Sequence, residues 1–76
     1  MRPAPHQFRA ARAWLGWSRG RVAHEAGVCE MSVGRAERGD TNLGPGVIRQ
    51  LISAYTGRGF IFIGGEALHR ITGVQI

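Results

Sequence analysis

The chain has 76 residues, enough for one small domain whose hydrophobic core is marginal. Its ten basic residues are all arginine, set against five acids, for a net charge of +5. A single cysteine excludes an internal disulfide framework and any multi-cysteine zinc site, and no stretch reaches the roughly 20 apolar residues that a membrane span requires.

The positive balance points to an anionic partner and to salt-sensitive binding. Arginine offers a planar fork of donors that suits phosphates and guanine edges better than the point charge of lysine. A GC-rich coding bias, which inflates Arg, Gly and Ala together, explains the choice of Arg over Lys equally well, and the twelve glycines fit it. Arg2, Arg9 and Arg12 interrupt the first fifteen residues and no continuous apolar run forms there, so no signal peptide is expected. A reducing cytoplasm is the expected location.

Met1 to Pro5 holds two prolines and is expected to be a loose arm. The first helix is predicted from His6 to about Leu15, with Phe8, Ala11, Arg12 and Leu15 spaced i, i+3, i+4, i+7 along one stripe. Arg12 therefore lies on the inward face and needs an acid, because an unpaired buried charge is expensive. Ser18 is a natural N-cap for a second helix, Arg19 to Ala26. Arg19 and Arg21 stand in its first turn, where the macrodipole disfavours cations. That placement makes sense if an anion docks against the exposed amides of the turn.

Ala23, Gly27 and Val33 follow an A-x3-G-x5-V spacing. Ala23 is small where a second helix must cross, Gly27 can take the left-handed backbone that redirects the chain, and Val33 anchors the next helix. Val28 packs the turn. This is a helix-turn-helix pattern. The third helix is predicted from Glu30 to Arg38, with Val33 and Ala36 inward and Glu30, Met31, Gly34, Arg35 and Arg38 on the opposite arc. Gly39-Asp40 ends it. Gly44-Pro45 opens a fourth helix through Thr56, with Val47, Ile48, Leu51, Ile52 and Tyr55 as its apolar stripe.

After Gly57 the period changes. Phe60-Ile61-Phe62-Ile63 is a run of strand formers, Gly64-Gly65 a turn signal, and Ala67 to Thr72 the expected returning strand. The run is apolar on both faces, and a hairpin on a small helical core covers only one of them. Phe60, Ile61, Phe62 and Ile63 are therefore expected to form a homodimer interface.

The segment FRAARAWLGWSRGRVAHEAGVCEMSVGRAERGD resembles the Cro and phage-repressor class of helix-turn-helix regulators, the xenobiotic-response-element family, and the likeness spans Phe8 to Tyr55. The features that carry it are an Arg in the first helix, a Gly-aromatic-Ser lead-in to the second, Ala-Gly-Val at the turn, and Glu-Arg-Gly closing the third. The resemblance implies a mainly α, four-helix repressor-like domain over residues 1–57, to which the strand pattern adds a C-terminal β-hairpin over residues 58–76. It implies a sequence-specific regulator of transcription, a repressor, that binds double-stranded DNA, with helix 3 in the major groove.

By position, the resemblance implies a structural Arg12–Glu37 bridge, which supplies the acid that Arg12 requires. It assigns base contacts to Glu30, Met31, Gly34 and Arg35, and phosphate contacts to Ser18, Arg19, Arg21, Ser32, Arg38 and Asn42. The departures are informative. Arg19 replaces the usual glutamine, Cys29 takes the usual Ser/Thr cap, and Gly34 in mid-helix costs ~1 kcal/mol against alanine. Glu30 is an acid facing a polyanion, useful only as an acceptor from a cytosine amino group. The C-terminal strands replace a fifth helix.

Arg58-Gly59-Phe60-Ile61-Phe62-Ile63 superficially matches the aromatic strand of RNA-recognition folds, but Ile61 and Gly65 break that pattern. His6, His24 and His69 show no ligand spacing. Cys29 at a helix N-terminus has a second reading, as an oxidant sensor. No nucleophile–base set and no phosphate-cradling loop with a lysine is present, so neither enzymatic activity nor a cofactor is expected. The alternative function keeps the fold and changes the partner: an antitoxin or adaptor whose apolar tail binds a toxin or other regulatory protein.

Overall fold

The computed structural model describes residues 2–63, 66–69 and 74–75. Four helices come first: α1 (Pro5–Leu15), α2 (Arg19–Ala26), α3 (Glu30–Arg38) and α4 (Pro45–Thr56). Three short strands follow, β1 (Phe60–Ile63), β2 (Glu66–His69) and β3 (Val74–Gln75), in the antiparallel order β1-β2-β3.

The helix limits have local causes. Pro5 stands at the first position of α1, one residue earlier than the sequence predicts, because its fixed φ suits N1 and its missing N–H is no loss there. The Gln7 side chain reaches back to accept the Ala4 N–H at 2.6 Å. Ser18 Oγ accepts from the Arg21 N–H at 3.0 Å and caps α2. Gly27 ends α2 at φ 71°, a left-handed conformation that a Cβ penalises. The chain then reaches α3 in three residues. Cys29 occupies the N-cap of α3 without a side-chain capping bond.

The arm before α1 is not loose. Pro3 is buried, and Arg2 Nη2 donates to the Asp40 carbonyl at 2.8 Å, so the arm is pinned to the end of α3.

The core gathers Phe8 and Ala11 of α1, Val22, Ala23 and Ala26 of α2, Val33 and Ala36 of α3, Leu51 and Tyr55 of α4, and Phe60 of β1. Leu15, Trp17, Val28, Leu43, Val47, Ile52 and Phe62 pack against it. An aromatic cluster closes one end: the Tyr55 ring meets Phe60 and Phe62 edge-on at 6.1 and 6.0 Å, and Phe8 lies 5.9 Å from Phe62. Phe60 therefore ties the strand to the helical core across the expected boundary after residue 57.

This alternation corrects the expected dimer surface. Phe60 is fully buried and Phe62 is half-buried against the core, so neither is offered to a partner. The opposite side of β1 carries half-buried Ile61 and exposed Ile63. The returning strand, expected over Ala67–Thr72, spans Glu66–His69, with Ile63 paired to Glu66 and Phe60 to His69. Pairing of Leu68 with Gln75 and of His69 with Val74 adds a third strand that the sequence does not predict. It occupies an edge of β2 that a bare hairpin leaves open. The Gly64-Gly65 turn lies outside the described residues. Among the described residues no helix is long and apolar enough to cross a membrane.

Candidate functional site

Glu37 is the anchor from which the site is built. It lies on the inner side of α3 and is 1% exposed. Arg12 grips it with two nitrogens, Nε to Oε2 at 2.6 Å and Nη2 to Oε1 at 3.1 Å, and its third nitrogen, Nη1, donates to the Trp17 carbonyl at 3.2 Å. This is the expected Arg12–Glu37 pair. The hydrogen bonds that Arg12 donates to Glu37 hold its pKa above the usual guanidinium value.

Arg19 joins the same carboxylate, Nε to Oε1 at 3.2 Å, while remaining half exposed. Arg9 Nη1 donates to the Glu37 carbonyl. Three arginines from α1 and α2 thus converge on one residue of α3, and α3 is fixed against both helices by charge as well as by Val33 and Ala36.

On the outward side, Met31 is 66% exposed, the most exposed large apolar side chain of the described residues. Glu30, Arg35 and Arg38 are exposed beside it. Arg19, Glu30, Met31, Gly34 and Arg38 line one open groove between α2 and α3. Of the residues expected at base edges, Glu30, Met31 and Gly34 stand at this groove. Arg35 lies apart, its Nε 3.6 Å from Asp40 Oδ2.

Gly34 departs from expectation. Helical arithmetic puts it on the outer arc, yet it is buried. A methyl on its Cα would stand 3.1 Å from Arg38 Nη1 and 3.9 Å from Arg19 Nη1. The two long side chains fold over the glycine, which becomes the floor of the groove rather than a contacting residue.

The expected phosphate contacts divide similarly. Ser18 is committed as the α2 cap, with its hydroxyl proton still to give. Ser32 is half-buried, its Oγ 3.2 Å from Cys29 Sγ, and that hydrogen bond lowers the Cys29 thiol pKa. The Asn42 N–H donates to Asp40 Oδ1 at 2.8 Å in a turn that leaves its side chain exposed. Arg21 is drawn elsewhere: its guanidinium lies 4.8 Å from the Trp17 ring centroid, with Nε 3.5 Å from Glu25 one turn on.

A second cluster is the feature that sequence reasoning missed. Arg58 covers the Trp17 ring at 4.9 Å and bonds Glu25 Oε1 at 2.7 Å, so Trp17 carries two cations that share one acid. The Arg58 hydrogen bond lowers the Glu25 pKa. The i,i+4 spacing of Arg21 and Glu25 signals half of this arrangement. The arrival of Arg58 depends on how α4 ends.

His6 and His24 are exposed, and no group of three His, Cys, Asp or Glu residues capable of holding a metal occurs among the described residues. No protein-family model matches the chain, and no curated protein matches it either.

Proposed function

We propose that this chain is a helix-turn-helix regulator that binds double-stranded DNA, with α3 in the major groove and the α2 N-terminus on the phosphate backbone. One observation carries the proposal. A short helix is locked from behind through buried Glu37, and its free face presents solvent-exposed Met31 in a groove that Arg19 and Arg38 also line. An exposed thioether sharing a groove with arginines suits a partner edged by phosphates and thymine methyls. The net charge of +5 supports the same partner. Met31 and Arg35 read bases, Arg19 and Arg38 hold phosphate, and Glu30 acts as a discriminator. Repression of transcription is the corresponding role.

The regulator works as a homodimer. Ile63 is 58% exposed on β1, which lies at the edge of the sheet, and Ile61 is beside it on the same strand. A second copy covers this side of the strand. Truncation after residue 57 is a poor test because it removes Phe60 from the core. Ile63→Glu leaves the core intact and is expected to convert a dimer to monomer in analytical ultracentrifugation, whereas an unchanged dimer places the interface elsewhere.

The decisive test of the proposal is a fluorescence-anisotropy salt titration on random-sequence duplex. Binding is expected to weaken log-linearly with salt, with a slope steeper than about −2 for several phosphates gripped. A chain with no affinity at low salt is not a DNA-binding protein.

A further inference from the structure

We infer that Arg19 and Arg38 form a two-arginine clamp for a single phosphate group over the bare backbone of Gly34. The inference rests on the DNA-binding proposal for the source of that phosphate, and on the groove geometry alone for the clamp. Arg38 is one turn beyond Gly34 on α3 and folds back along the helix, while Arg19 reaches across from α2. Their Nη1 atoms stand 3.1 Å and 3.9 Å from the same point, the place where a side chain at position 34 would begin. Like charges brought together in this way repel unless an anion lies between them.

The available acids do not fill that place. Glu37 is buried beneath and already holds Arg12 together with the Nε of Arg19, which leaves the outer nitrogens of Arg19 free to turn toward the groove. Glu30 lines the wall but is directed toward α2, its Oε2 3.5 Å from a methyl built on Gly20. Among the described residues Arg38 makes no ion pair with any acid. Two guanidinium groups that each bring Nη1 within 4 Å of that point suit the oxygens of a tetrahedral phosphate. The clamp also gives the mid-helix glycine a reason, since any larger residue lifts Arg38 away from Arg19.

The clamp has an energetic signature that a structural role lacks. Gly34→Leu adds a good helix former and fills the floor, so it is expected to raise thermal stability and weaken binding together. The experiment measures salt slopes on random duplex for the wild type, Arg19→Ala, Arg38→Ala, the double variant and Gly34→Leu. Each single change is expected to reduce affinity about tenfold and to shrink the slope by about 0.9, the signature of one phosphate, with little further shrinkage in the double variant. A double variant that loses about twice that slope, or a Gly34→Leu chain that binds like the wild type, overturns the clamp.

A DNA-free arm separates the two levels of the proposal. Should the wild type not bind duplex at all, inorganic pyrophosphate is titrated while the Nε–H signals of Arg19 and Arg38 are followed by NMR. Joint movement that Gly34→Leu abolishes upholds the clamp and discards only the DNA source; no movement discards the clamp as well.

Discussion

The carboxylates of Glu37 and Glu25 each hold two arginine side chains, yet they do different work. Glu37 is 1% exposed and receives Arg12 in a two-point grip together with Arg19. Glu25 has a side chain 26% exposed, and its arginines, Arg21 and Arg58, rest on the Trp17 ring. The charge count is the same and the burial is not. Water can replace either partner at Glu25, whereas at Glu37 nothing replaces the carboxylate that neutralises Arg12 inside the helical junction. Burial, more than the number of ion pairs, decides which cluster holds the fold together and which shapes its surface.

The largest expected effect follows directly. Glu37→Ala leaves Arg12 partly buried without its acid and is expected to cost about 3 kcal/mol in urea denaturation. Glu25→Ala, measured alongside, is expected to leave the urea midpoint close to wild type. Equal losses at the two positions break the comparison.

A smaller effect sharpens it. The Tyr55 hydroxyl is buried next to the Glu37 junction and has no hydrogen-bond partner among the described residues. Removing it with Tyr55→Phe is expected to stabilise the protein by about 1 kcal/mol. Burial raises the Tyr55 pKa above the ordinary tyrosine value. The folded state therefore keeps the phenol proton where the unfolded chain releases it. This contribution is complete below about pH 10 and declines as the pH rises above it. Urea midpoints of wild type are expected to fall above that pH more steeply than those of Tyr55→Phe. Parallel pH profiles contradict this assignment.

The helix framework is legible in the sequence because its punctuation is strong: Ser18 and Pro45 at starts, and Gly27 and Gly39 in left-handed conformations at stops. The inward turn of Val33 and Ala36 follows from helical periodicity alone. The burial of Gly34 does not, because periodicity places backbone positions and says nothing of long side chains folding back over them. The sharing of Glu37 by Arg19 is hidden for a related reason: it depends on how closely α2 crosses α3. Alternation along Phe60–Ile63 predicts two faces without saying which one meets the core; the aromatic side wins because Phe8 and Tyr55 are there to receive it. The pinning of the N-terminal arm by Arg2 and Asp40, 38 positions apart, has no local signal.

The account turns on which surface meets DNA, and methyl NMR reads that surface directly. On addition of random-sequence duplex, the Met31 ε-methyl signal is expected to shift while the Ile63 δ-methyl stays in place. A shift at Ile63 with Met31 unmoved contradicts the assignment of α3 as the DNA-facing helix.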